Sequence, residues 1–307
     1  MRKSLRLQAE MIQEFGTCVF DVTLDCEDGA PVGGEVEHAA LVTDLALAAK
    51  AATPDARIAV RVHAVDHPSF EADMGLIAGR AGPVLSHIMV PKVECVADID
   101  RAHAALIGAG AGDLPLHVLI ESPLALEHAN DIAAHPRVQS ISFGLMDFVS
   151  AHGGAIPAEG MSGSGQFTHP LVVRAKLIIA SACHAHGKVP SHCVVTEFKD
   201  TQAVRQAAQT ANQALGYTRM WSIHPDQIRP ILEAMAPSQA QIEQAVQILV
   251  AAQAADWAPI SHAGQLHDRA SYRFFWQLME RAHRTGRALP SEGQVFFHDL
   301  AVAKVNA

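Results

Sequence analysis

Seven short aliphatic and β-branched runs recur along this chain with a helix-like segment between most of them. That alternation constrains the fold more than any other feature. The runs are Val19–Leu24, Ile58–His63, Ile88–Val93, Leu116–Ile120, Val138–Phe143, Cys193–Thr196 and Met220–Ile223. Most are continuously apolar rather than alternating, as expected of strands buried on both faces. Between them, His38–Ala52 stops before Thr53-Pro54, and Val96–Ala109 ends in a Gly-rich turn. Leu124–Ala134 stops before His135-Pro136, Leu171–His186 ends at Gly187, and Thr201–Leu215 ends at Gly216. Gly or Pro after the last helical residue is the usual stop signal.

Repeated strand–helix units with short links predict βαβ connections and a parallel sheet. The expected fold is α/β, a (β/α)8 TIM-type barrel over residues 1–235. An eighth strand should precede Val19, where Leu5–Phe15 reads as a helix instead. The barrel is therefore incomplete, or its first strand is short and irregular. A doubly wound sheet is the alternative. Residues 236–307 read as a carboxy-terminal helical extension packing on the barrel or on a neighbouring subunit. Its first helix opens at Ser238, which forms a capping box with Gln241, and runs to about Ala255. Trp257–Asp268 reads as a loop and Tyr272–Arg284 as a helix. The glycine-rich stretch Gly153–Gly165 follows a strand end and reads as a mobile lid or as a solvated loop.

Composition narrows the function. Hydrophobic residues make up 49% of the chain and aromatics only 5%, so Ala, Val, Leu and Ile must fill the core. The net charge of −9, without a basic run, argues against nucleic acid as a partner. The amino terminus lacks the apolar segment of a signal peptide, and no stretch of about 18 apolar residues is present to span a membrane. The five cysteines form no C-x-x-C pair and read as reduced thiols, which places the protein in the cytoplasm. Most of the 18 histidines stand alone and read as surface or core residues.

Chemistry in parallel α/β folds sits at the carboxyl ends of strands. Those ends carry Asp25, Glu27 and Asp28; Arg61 and His63; Lys92 and Glu94; Glu121 and Ser122; Asp147; Glu197; and His224. Glu121 and Asp147 follow adjacent strands and can share a divalent cation, or each can cap its following helix. Arg61 can bind a substrate carboxylate or a developing oxyanion, or form a salt bridge with the acids at 25–28. Lys92 can attract phosphate, polarise a carbonyl or form a Schiff base, or pair with Glu94. His224 can contact a cofactor or orient the loop before its helix.

The stretches LDCEDGAP (24–31), RVHAVDHPSF (61–70), IMVPKVE (88–94), VLIESPLAL (118–126), FGLMDF (143–148), SIHPDQI (222–228), APSQAQIEQA (236–245) and GQLHD (264–268) resemble the HpcH/HpaI aldolase and citrate lyase β-subunit superfamily, the CoA-ester lyases. They occur in family order and cover most of the chain. The resemblance implies a homotrimer or homohexamer that uses Mg²⁺, a CoA thioester and a small keto acid. It implies that Glu121 and Asp147 are the metal ligands, that Arg61 stabilises an enolate, and that Glu27 and Asp28 support that site. It implies that Asp268 is an acid/base entering the neighbouring subunit's site. The chain departs from the family pattern at several positions. An R-S-x-L-x-V-P-G strand is missing, and neither the Lys nor the Ala-Arg pair follows the acidic motif. Met146 stands where a Glu is frequent, Ser191-His192 lie near a position often held by Asp, and His63 replaces a common Asn.

The expected activity is carbon–carbon cleavage or formation of a 3-hydroxyacyl-CoA, such as malyl-CoA or citramalyl-CoA, through an acyl-CoA enolate. The alternatives are a metal-dependent class II aldolase on a free 2-keto-4-hydroxy acid, and a non-catalytic paralogue.

Overall fold

The structure is a computed structural model that describes residues 1–30 and 32–297. Pro31, the last residue of the acidic motif, and residues 298–307 of the expected extension lie outside the described residues. The chain divides into two compact units, one of residues 1–10 and 20–235, the other of residues 11–19 and 236–307.

The first unit is built on seven parallel strands: β1 (Val22–Asp25), β2 (Ile58–Arg61), β3 (His87–Val90), β4 (Leu116–Ile120), β5 (Val138–Phe143), β6 (Val189–His192) and β7 (Arg219–Met220). They pair in sequence order, each new strand adding to the edge left by the last, as successive βαβ units require. All residues of β3 and β4 are buried, which explains why, His87 and His117 apart, their sequences are apolar. The sheet curls. Arg219 of β7 donates to Asp21, immediately before β1, at 2.8 Å, and Arg61 at the end of β2 lies 5.5 Å from the ring of Trp221, just after β7.

The amino-terminal ends of the strands carry a polar cluster around the buried side chains of Asp21, His87 and His117. Arg57 joins Arg219 on Asp21, at 2.6 Å. The rings of His87 and His117 stack at 3.5 Å, and His117 Nε2 meets Gln139 Oε1 at 2.8 Å. Burial favours the uncharged form of Asp21, but Arg219 and Arg57 outweigh it and hold the carboxyl well below the usual range. Burial first, and then the charge of Arg219, push His117 down to about 3, so this ring is neutral.

Among the described residues no strand precedes Val22; Arg2–Phe15 is helical, as expected. Gln8 of this helix donates to the carbonyls of Phe20 at 2.7 Å and Arg57 at 2.9 Å, covering the amino-terminal approach to β1 and β2. One expectation for this unit needs correction. The sixth strand is Val189–His192 rather than Cys193–Thr196; Pro190 is tolerated because β6 bonds through the groups around it, and the segment after His192 leaves the ladder. The 153–165 stretch, expected as a lid or a solvated loop, is largely exposed and includes short helical turns at Ala158–Met161 and Gly165–Phe167; the Gly163 N–H donates to Glu197 at 2.8 Å.

In the second unit, helix Gln239–Ala254 begins with the capping box: Ser238 Oγ accepts from the Gln241 amide, and Gln241 returns the bond to the Ser238 amide at 2.9 Å. The expected loop is a β-hairpin, β8 (Ile260–His262) and β9 (Gln265–His267), antiparallel. Its two-residue turn places Ala263 and Gly264 at φ 47° and 77°, the left-handed pair such hairpins need. Helix Arg269–Arg284 follows. Ile242, Val246 and Leu249 pack with Phe275, Leu278 and Met279 to form this unit's core.

Candidate active site

The carboxyl ends of β1 to β5 bring most of the expected residues into one electrostatic network. Asp25 and Arg61 are register partners at the ends of β1 and β2. Asp25 accepts from Arg61 Nε at 2.7 Å and Nη2 at 2.6 Å, a planar two-bond fork. Arg61 Nη1 also lies 2.9 Å from Glu27 Oε2. The salt bridge with the acids at 25–28 is therefore formed. Burial alone would favour losing the guanidinium's charge, but Asp25 and Glu27 outweigh it and fix the proton more firmly. Gly29 is needed beneath this pair, since a Cβ there would run into the Asp25 carboxylate.

Lys92 links two parts of the network. Its ammonium pairs with Glu27 and lies 3.4 Å from Asp28. Its backbone, at φ 52°, turns its amide to donate to Glu121 Oε1 at 2.9 Å. The carboxylates outweigh burial and hold the ammonium's pKa above its ordinary value. That opposes a Schiff-base role, which needs the free amine. The alternative pairing with Glu94 is not formed; Glu94 accepts from Ser122 Oγ at 2.6 Å. Ser122, not Glu121, caps the helix Pro123–Glu127.

Glu121 follows β4 and is 5% exposed. Asp147 follows β5 in the first turn of Leu145–Ser150. Burial, and then a hydrogen bond with Asp147 and that group's charge, raise Glu121 to about 8, against the lowering effect of the Lys92 amide. The two carboxyl groups thus lie close enough to disfavour charge on Glu121, where a divalent cation would satisfy both. Glu27 adds its negative charge to this cluster and raises Glu121 further. Among the described residues no group of three or more His, Cys, Asp or Glu side chains is set to hold a metal, so two carboxylates would leave the other positions to water and substrate oxygens, as Mg²⁺ accepts.

Sequence reasoning gave no weight to Gly144. A Cβ there would lie 2.5 Å from Glu121 Oε2, so the glycine makes room for the carboxylate. Trp221 was also missed; only the curl of the sheet brings it to Arg61. His224 lies at the start of helix Pro225–Met235, where its Nδ1 accepts from the Asp226 amide at 3.2 Å and its ring lies 5.0 Å from Phe198. Asp268 belongs to the second unit, where it caps Arg269–Arg284 by accepting from Ala270 at 3.0 Å and Ser271 at 3.4 Å.

A family model described as HpcH/HpaI aldolase/citrate lyase matches residues 5–225, which include every strand of the curled sheet. The chain belongs to the HpcH/HpaI aldolase/citrate lyase family. An L-malyl-CoA/beta-methylmalyl-CoA lyase of Cereibacter sphaeroides is 31% identical over 214 residues, 64% of this chain and 66% of that protein. The match thus spans just under two thirds of that relative's length. A crystal structure of a citrate lyase from Burkholderia xenovorans LB400 is 46% identical, covers 95% of this chain and 91% of that one, and superimposes with a TM-score of 0.81. Protein CitE of Mycobacterium tuberculosis, in complex with magnesium, acetoacetate and coenzyme A, is 22% identical. It covers 91% of this chain and 95% of that one with a TM-score of 0.63, a likeness of fold. In this family member the paired carboxylates, the clamped arginine and the acidic motif lie at the strand ends where an α/β fold carries out chemistry.

Proposed function

We propose that this chain is a Mg²⁺-dependent carbon–carbon lyase that cleaves or forms a 3-hydroxyacyl-CoA, such as malyl-CoA or citramalyl-CoA, through an acyl-CoA enolate. The observation that carries the reading is the placement of Glu121 and Asp147, two carboxyl groups just past the ends of the paired strands β4 and β5, the first of them buried. These two residues would hold the ion. Bound there, magnesium supplies Lewis acidity and a template for the hydroxyl and carboxylate oxygens of the acyl group.

Arg61 supplies fixed positive charge to the enolate oxygen of the departing acyl-CoA. Its fork with Asp25 holds the guanidinium plane in place before substrate arrives, so little reorganisation accompanies the reaction. Glu27 and Asp28 keep the Lys92 ammonium in place, and Lys92 in turn holds Glu121 through its amide. Lys92 and His224 are the residues we assign to the thioester side of the site. Asp268 is the acid/base for the enolate carbon, entering from a neighbouring subunit of a homotrimer or homohexamer. In that assembly an eighth element closes the curled sheet into a (β/α)8 barrel. A CoA thioester and five cysteines without a disulfide fit a cytoplasmic enzyme; no helix of the described residues is long and apolar enough to cross a membrane.

The deciding experiment is calorimetric titration of Mg²⁺ and acetyl-CoA, separately and together, into wild type and Glu121→Gln. Acetyl-CoA binding that depends on the metal and disappears with the substitution supports the lyase. Metal binding without thioester affinity turns the reading to an aldolase of free keto acids. Binding of neither leaves a non-catalytic paralogue.

A further inference from the structure

The lyase reading assigns no residue to the proton of the substrate's 3-hydroxyl group. Two residues beyond Arg61, at the same end of β2, His63 forms a dyad with Asp73. Asp73 Oδ2 lies 2.6 Å from His63 Nδ1 and also accepts the His63 backbone N–H at 3.0 Å. Asp73 is 1% exposed and His63 is 8% exposed, so the pair is held out of bulk water. A carboxylate at this distance can only accept, so Nδ1 carries the hydrogen, and the tautomer that makes this bond has its lone pair on Nε2. Among the described residues Nε2 has no hydrogen-bond partner, and it is not among the sealed, unpartnered atoms of the interior. The ring is backed by His67 at 4.2 Å, nearly parallel. Glu35, in the segment that follows the acidic motif, lies within electrostatic reach of His63.

An imidazole anchored through Nδ1 by a buried carboxylate, with Nε2 open, is an arrangement suited to moving a proton. We propose that the Asp73–His63 dyad is a further acid–base pair of this site, His63 Nε2 taking the proton of the 3-hydroxyl in cleavage and returning it in condensation. The inference rests on the lyase reading above. In cleavage the hydroxyl proton moves to Nε2, and the O–H electron pair becomes the second bond of the new carbonyl. The carbon–carbon pair leaves with the acyl fragment as its enolate, and Asp73 sits opposite the imidazolium that forms. An Asn at this position could hydrogen-bond a hydroxyl but has no basic nitrogen to take its proton.

The test compares wild type, His63→Asn, His63→Ala, Asp73→Asn and Glu121→Gln on malyl-CoA and citramalyl-CoA with Mg²⁺, with thermal unfolding of each. Expected are kcat losses of about 10²–10³-fold for both His63 variants, with KM changed by no more than about threefold, and a smaller loss for Asp73→Asn. Added imidazole should restore part of the activity of His63→Ala and none of that of His63→Asn, a rescue that a merely structural role would not produce. Should His63→Ala not fold, His63→Asn carries the comparison. Full turnover in His63→Asn beside an inactive Glu121→Gln overturns the dyad's role and leaves the lyase reading standing. A contact readout separates the two further. The His63 ¹⁵Nε2 resonance, assigned by its loss in His63→Asn, should shift on saturation with Mg²⁺ and malyl-CoA. An unmoved resonance overturns the proposal whether or not turnover is seen.

Discussion

Asp25 and Arg61 are register partners on β1 and β2, and two hydrogen bonds of 2.6 and 2.7 Å lock the guanidinium plane against the carboxylate. Each strand thus presents one half of a fork at the same height.

Replacing Arg61 with Ala should lower kcat by about 10²–10³-fold with little change in Mg²⁺ affinity, because the charge is needed as the enolate develops. Asp25→Asn keeps the charge but weakens the fork. Its loss should be smaller, roughly tenfold, read as kcat/KM under the same conditions.

The Asp25 pair also makes stability depend on acid. Burial favours the protonated form, but Arg61 outweighs it and lowers the Asp25 pKa. The stabilisation is therefore present above the usual carboxylate value and is lost as pH falls through the lowered folded value. Melting temperatures of wild type and Asp25→Asn should differ near neutrality and converge below about pH 4.

Glu121 behaves in the opposite sense in metal-free protein. Its pKa is raised from 4.5 to about 8, so between those values the folded state holds a proton that the unfolded state has released. Metal-free stability should fall as pH rises through that window and level off above it. Mg²⁺ must displace this proton. At pH 7 its binding should release about one proton, seen as a buffer-dependent calorimetric enthalpy, and Glu121→Gln should abolish the release.

Gly144→Ala places a methyl group 2.5 Å from Glu121 Oε2. The carboxylate must move, so Mg²⁺ affinity should drop by about tenfold or more while the fold loses about 1–3 kcal/mol. An unchanged Mg²⁺ isotherm would show that Glu121 is not held where the metal needs it.

Asp21→Asn removes the shared partner of Arg57 and Arg219. Both arginines are partly exposed, so the cost should be about 1–3 kcal/mol, below that of a fully buried pair. The cluster lies at the amino-terminal ends of the strands. Chemical denaturation should therefore register the change while the kcat of folded protein stays near wild type.

The strand–helix rhythm, the helix stops at Gly187 and Gly216, the Ser238 capping box and the position of Glu121, Asp147 and Arg61 at strand ends were all legible in the linear chain. Each follows from local rules: which residues bury a strand, which end a helix, and which polar groups come just after an apolar run. The sixth strand was misplaced because Val189–His192, with Pro190 and Ser191, carries little strand propensity; pairing between β5 and β7 holds it in the sheet. The hairpin at 260–267 was missed because its strands are three residues each, too short for alternation to register.

What local order could not supply is distance. Arg61 and Trp221 are far apart in sequence and meet because the sheet curls. Lys92 reaches Glu121 through its backbone rather than its side chain because its φ is positive. His63 becomes an oriented base only when the turn carrying Asp73 folds back beneath it. The sequence by itself determined the elements and the chemical groups at their ends. Tertiary structure alone decided which of those groups share a proton, a charge or a hydrogen bond, because such interactions fall off over a few ångströms and only folding sets those separations.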